Sequence, residues 1–139
     1  MITEDNNHDR VVEEQIAVMS SYTEREIEDY ETSMEDHDHR MYITQVDPIV
    51  DELEEDLNSR QALTTTASTN MCIRGVQVLV RDRIHVISWL RSSDIDNYRD
   101  EDLGFLYKFG CEVRDRMDLD QRLMVHVFTS SLHHEVDDD

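Results

Sequence analysis

The chain has 139 residues, of which 33 are Asp or Glu and 13 are Lys or Arg, for a formal net charge of −20. Such a charge excludes binding to bare nucleic acid through its phosphates; it leaves imitation of nucleic acid, or plain solubility with steering toward basic partners. With only three Gly and one Pro, tight turns and bulges are scarce, which speaks against a sandwich, a barrel or a Gly-rich phosphate loop and in favour of helices.

The length suits one domain, residues 1–139, with flexible acidic ends at 1–9 and 134–139. Nineteen of the 33 acids lie in residues 1–60 and none in 61–80, but apolar stripes continue through both parts, so the shift marks no boundary. Cys72 and Cys111 fall in hydrophobic runs and read as buried thiols. Residues 1–10 are charged, unlike a signal peptide, and no segment approaches the roughly 20 apolar residues of a membrane span. The expectation is an intracellular, soluble protein with no transmembrane anchor.

Five helices are predicted in an all-α fold. The first covers about 10–36, where Val12, Ile16, Met19, Thr23, Ile27, Tyr30 and Met34 recur at spacings of four and three. His37 to Thr44 reads as a connection. The second starts at Asp47 as cap and Pro48 in the first turn, with Val50, Leu53 and Leu57 on one face. Residues 63–69 are hydroxyl-rich and β-branched, a loop. The third, about 70–91, is apolar nearly all round and reads as a central helix. Its VQVLV run also alternates as a strand would, but Arg81-Asp82-Arg83 carries no hairpin turn signal, which favours helix. The fourth, about 100–117, holds Leu103, Leu106, Gly110, Val113 and Met117; the fifth, about 119–133, holds Leu119, Leu123, Val127 and Leu132.

Candidate chemistry is sparse. Glu35, Asp36, His37, Asp38 and His39 form a cluster of metal-ligand types, but His37 and His39 would point to different faces of a helix. His126 and His133 lack a third ligand. No nucleophile elbow, P-loop, HExxH or paired-cysteine motif is present, so neither an enzyme nor a cofactor is expected. The acidic first half suits a phosphate mimic, and the first stripe suits packing in cis or across a homodimer.

Residues 50–61, VDELEEDLNSRQ, resemble the third homology motif of the Bcl-2 family of apoptosis regulators through Val50, Glu55, Asp56, Leu57, Asn58 and Arg60. Glu54 stands where that family prefers Gly or Ala. Residues 86–99, VISWLRSSDIDNYR, are similar to its first motif, with Val86, Trp89 and Leu90 as the apolar helix end and Arg99 near the family's Arg. Phe109-Gly110 matches a Phe-Gly pair of its next helix. The second homology motif and a membrane tail are not recognisable, as in short viral homologues. The resemblance implies a single bundle of about five to seven helices around a central apolar helix. It implies an inhibitor of apoptosis, in the host cytoplasm or recruited to mitochondria. That inhibitor would capture the death-motif helix of pro-apoptotic proteins such as Bim, Bak and Bax in a hydrophobic groove. The motif helix would carry Val50, Leu53, Glu55, Asp56 and Leu57. The groove would use Leu57, Val86, Trp89, Leu90, Leu106, Phe109 and Gly110, with Arg99, or else Arg91 or Arg83, pairing the peptide's Asp. An acidic nucleic-acid mimic and a helical self-assembling protein are the alternatives.

Overall fold

Residues 73–90 alternate. Ile73, Val76, Val78 and Val80 are buried, as are Ile84, Val86, Ser88 and Leu90, while the residues between them are partly or largely exposed. A period of two, carried by Val and Ile, builds strands rather than a helix. The computed structural model describes residues 9–30, 39–65, 73–95 and 99–137. In chain order these form β1 (Asp9–Thr23), α1 (Glu24–Ile27), α2 (His39–Glu55), β2 (Leu63–Thr65), β3 (Ile73–Val80), β4 (Ile84–Leu90), β5 (Ser93–Asp94), α3 (Arg99–Arg116) and β6 (Leu123–Asp137).

The all-α expectation is therefore wrong. The six strands form one mixed sheet in the order β1-β6-β4-β3-β2, with β5 also pairing to β6. The central apolar segment 70–91 is the hairpin β3–β4. Its turn needs no glycine, because the Arg81 N–H donates to the Arg83 carbonyl at 2.8 Å across three residues. The fifth expected helix is β6, whose inward residues Leu123, Val125, Val127 and Thr129 alternate, and β6 takes in residues 134–137 of the expected tail. The first expected helix is mainly β1. Its stripe of Val12, Ile16 and Met19 fits a helical period, yet the segment pairs with β6 along its whole length, and that ladder overrides the local pattern. A one-residue register shift lies between Val12 and Gln15, and Glu13 (φ 52°) and Ala17 (φ 58°) occupy the left-handed region.

Two helices stand where they were expected. α2 begins earlier than Asp47, so Asp47 does not cap it and Pro48 lies inside it. The missing proline N–H leaves the Thr44 carbonyl without its intrahelical donor. α3 follows the expected fourth segment and links the parallel strands β4 and β6. Val46, Ile49 and Leu53 of α2 and Leu103, Leu106, Phe109 and Val113 of α3 share one core with the inward residues of β3, β4 and β6. α3 sits so close that a Cβ on Gly110 would lie 2.8 Å from Val86 Cγ2 and 3.1 Å from Leu123 Cδ2. The helices cover only this face. On the other face Met19, Leu63, Trp89 and Phe128 stay exposed.

No described helix is long and apolar enough to cross a membrane. Cys111 is a free, half-buried thiol, and burial raises its pKa. Cys72 and the cluster 35–38 lie outside the described residues, as does the side chain of His39.

Candidate functional site

The expected groove residues separate in the fold. Val86, Leu90, Leu106, Phe109 and Gly110 meet in the core between α3 and the sheet, where Phe109 and Leu106 are fully buried. Trp89 points to the uncovered face, its Nε1 donating to Ser130 Oγ at 2.8 Å. Leu57 lies beyond the end of α2 and is exposed. Of the motif helix, Val50 and Leu53 are buried core, Glu55 ends α2 exposed, and the Asp56 carboxylate accepts the Asn58 N–H at 3.0 Å. Residues 73–90 are strands beneath α3, so the helical walls that would hold a death-motif helix are absent among the described residues. Nothing else in the described residues speaks for apoptosis or a viral origin. Arg91 is exposed after β4, and the Arg83 guanidinium lies 3.6 Å from Met124 Sδ.

Arg99 marks a different site. It opens α3 and is buried against the sheet. Its Nη1 donates to Thr129 Oγ1 at 2.9 Å and its Nη2 to the Tyr22 hydroxyl at 3.0 Å, with the guanidinium 5.8 Å from the Tyr22 ring centre. Thr129 pairs with Leu90, the last residue of β4. The cation is thus fixed at the carboxyl end of β4, beside the middle of β6, held by hydroxyls from β1 and β6.

Asp102 lies one turn further along α3 and is 7% exposed. Burial pushes its carboxyl up to about 7, the Arg99 charge pulling the other way and Glu101 adding to the rise. A first-turn position would ordinarily favour the ionised carboxylate, so burial outweighs both the helix dipole and the nearby cation. Asp102 Oδ2 has no hydrogen-bond partner. Ser93 follows β4 in the chain, pairs with Leu132 of β6 and is 2% exposed; its Oγ has no partner either. Among the described residues these two are the buried side-chain polar atoms left unsatisfied. Asp94 and His133 pair in the same short ladder and are also buried.

A second polar cluster flanks α3 at its other end. Glu24 of α1 accepts from Arg114 Nη1 at 3.0 Å and from the Leu123 N–H at 2.9 Å. Burial alone would raise the Glu24 pKa; Arg114 and the Leu123 amide hold it below its ordinary value. This cluster is complete, with the ion pair closing the seam between α1, α3 and β6.

The sequence reading singled out Arg99 but missed Asp102, Ser93, Thr129 and Tyr22. A signal did exist for Asp102. It precedes Leu106, Phe109 and Val113 at spacings of four, seven and eleven, an acid on the apolar stripe of its helix. No protein-family model and no curated protein matches the chain.

Proposed function

We propose that the protein binds a small polar molecule at the carboxyl end of β4, beside the middle of β6, with Arg99 as the fixed positive charge and Asp102 and Ser93 as the open hydrogen-bonding groups. The observation behind this reading is the pair of buried, unpartnered atoms, Asp102 Oδ2, one helical turn from the buried Arg99, and Ser93 Oγ, just past the end of β4. Leaving a buried polar atom unpaired costs about 1–3 kcal/mol, and folded proteins keep few of them. A ligand that supplies the missing partners offsets that cost. The position is favourable too, because open sheets with parallel strands bind ligands beyond their carboxyl ends.

A carboxyl near 7 is present in both forms around neutral pH. Neutral Asp102 donates a hydrogen bond, and ionised Asp102 accepts one. It therefore suits a ligand edge that sets a donor beside an acceptor, such as an amide, and in its ionised form the two donors of an amidinium.

Thermal shift of the full chain with acetamide, benzamide, benzamidine and inorganic phosphate tests the reading. At least one probe should raise the melting temperature, with the shift lost in Asp102→Asn and reduced in Ser93→Ala. Silence across the panel, or a shift that survives both substitutions, refutes it.

A further inference from the structure

We propose that two copies of this chain pair through the sheet face that the helices leave uncovered, packing strand against strand around Trp89 and Phe128. The first observation is exposure. Met19 is 62% exposed, Leu63 54% and Trp89 50%, and all point outward with Ile87, Leu79 and Phe128. These residues lie on adjacent strands. Trp89 pairs with Phe128, which pairs with Met19; Ile87 pairs with Gln77, which pairs with Leu63. A contiguous apolar surface of this kind marks an interaction site.

The second observation is charge, and it selects the occupant. The chain carries 33 acidic residues, yet β2, β3, β4 and β6 up to His134 contain none. The outward positions of β4 and its neighbours are apolar, hydroxyl, amide or imidazole groups, and Arg74 of β3 adds a guanidinium beside Leu63 and Trp89. Two of the imidazoles, His85 and His126, face each other through Nδ1 and Nε2 at 2.8 Å. In that contact one ring nitrogen donates and the other accepts. His126 also meets Ser21 Oγ through its Nδ1, at 2.7 Å.

Two chains of net charge −20 repel, and the acid-free sheet face is where that repulsion is least. A basic partner steered by the chain's field would find no carboxylate on this face to pair with. An anionic lipid surface would be repelled by the chain as a whole. A second copy meets an apolar surface free of carboxylates on β2, β3 and β4 with the same surface, and a two-fold axis makes the patch complementary to itself. Aligned packing of two sheets, about 10 Å apart, is the ordinary geometry for such faces.

Light scattering coupled to size exclusion on the full chain, from about 1 to about 100 µM, tests this. The expected mass is twice 16.5 kDa, with the dimer fraction rising as added salt screens the repulsion. Trp89→Glu and Phe128→Glu, each placing a carboxylate against its own copy, should weaken the dimer at least tenfold. Their circular dichroism should stay that of the parent, because both side chains lie outside the core. Should either variant unfold, Met19→Glu at the margin of the patch provides the same readout. A chain that stays monomeric at the highest concentration and salt overturns the proposal. So does a dimer that persists in the folded glutamate variants.

Discussion

Replacing Asp102 with Asn changes how stability depends on pH. In the folded chain the Asp102 carboxyl stays protonated up to about 7, whereas in the unfolded chain it ionises near 3.8. Between those values the native state holds a proton that the unfolded state has released. Stability from this group is therefore fully present below about pH 4 and is lost as pH rises toward 7. Moving a carboxyl from 3.8 to about 7, at about 1.4 kcal/mol per tenfold change in proton affinity, amounts to about 4 kcal/mol. The Asn variant has nothing to ionise and should not show this loss. Urea unfolding of both proteins between pH 4 and 8 measures it. The variant should gain on the parent by about 4 kcal/mol across that range and then hold a constant lead. A gap that stays flat would mean that Asp102 ionises in the fold as it does in water. A gap that shrinks as pH rises would mean that Arg99 has captured it as an ion pair. Either result would remove the basis for a proton-trading site.

Three further outcomes follow from the packing. Gly110→Ala places a methyl 2.8 Å from Val86 Cγ2 and should destabilise by about 1–3 kcal/mol in urea, although alanine is the better helix former. Glu24→Gln removes the partner of Arg114 and weakens the acceptor of the Leu123 N–H, so a loss of about 3 kcal/mol is expected at pH 7. Because the Glu24 pKa is lowered in the fold, its contribution is present above the ordinary 4.5 and disappears as pH falls through the folded value; the gap between parent and variant should narrow as pH falls below 4.5. Phe109→Ala opens the core beneath α3 and should cost about 3–5 kcal/mol by chemical unfolding.

What the sequence made legible follows from where the decisive forces act. α3 was readable because its stripe of Leu103, Leu106, Gly110 and Val113 is local and helical in period. α2 was readable in its second half, while Pro48 concealed the turns before it. β3 and β4 carried an alternation that was visible in VQVLV, but Trp89, Ile87 and Leu79 on the outward face masked it. Apolar residues on both faces of a strand look the same as a helix buried all round. That ambiguity has a physical source: this sheet has one face in the core and another that is apolar without being covered by helices. β1 was the hardest to read. Its strand conformation depends on hydrogen bonds to β6, which no local window contains. The polar site was half visible. Arg99 stood out, but its role depends on Tyr22 and Thr129, which are remote in sequence and meet only in the fold.

The pairing of β1 with β6 also dictates an order of events. Ser21 and His126 hydrogen-bond across a separation of 105 residues, so β1 stays without its ladder partner β6 while the rest of the sheet is synthesised. The hairpin β3–β4 closes over three residues, and α3 brings β6 back beside β4; β1 docks last. During that interval it is a long, unpaired strand, the kind of edge on which nascent chains aggregate. The left-handed residues Glu13 and Ala17 break its flatness, and Glu13 and Glu14 add charge to it. The irregularities of the mature edge therefore also act as a safeguard on the ribosome, keeping β1 from pairing with a neighbouring chain before its own β6 exists.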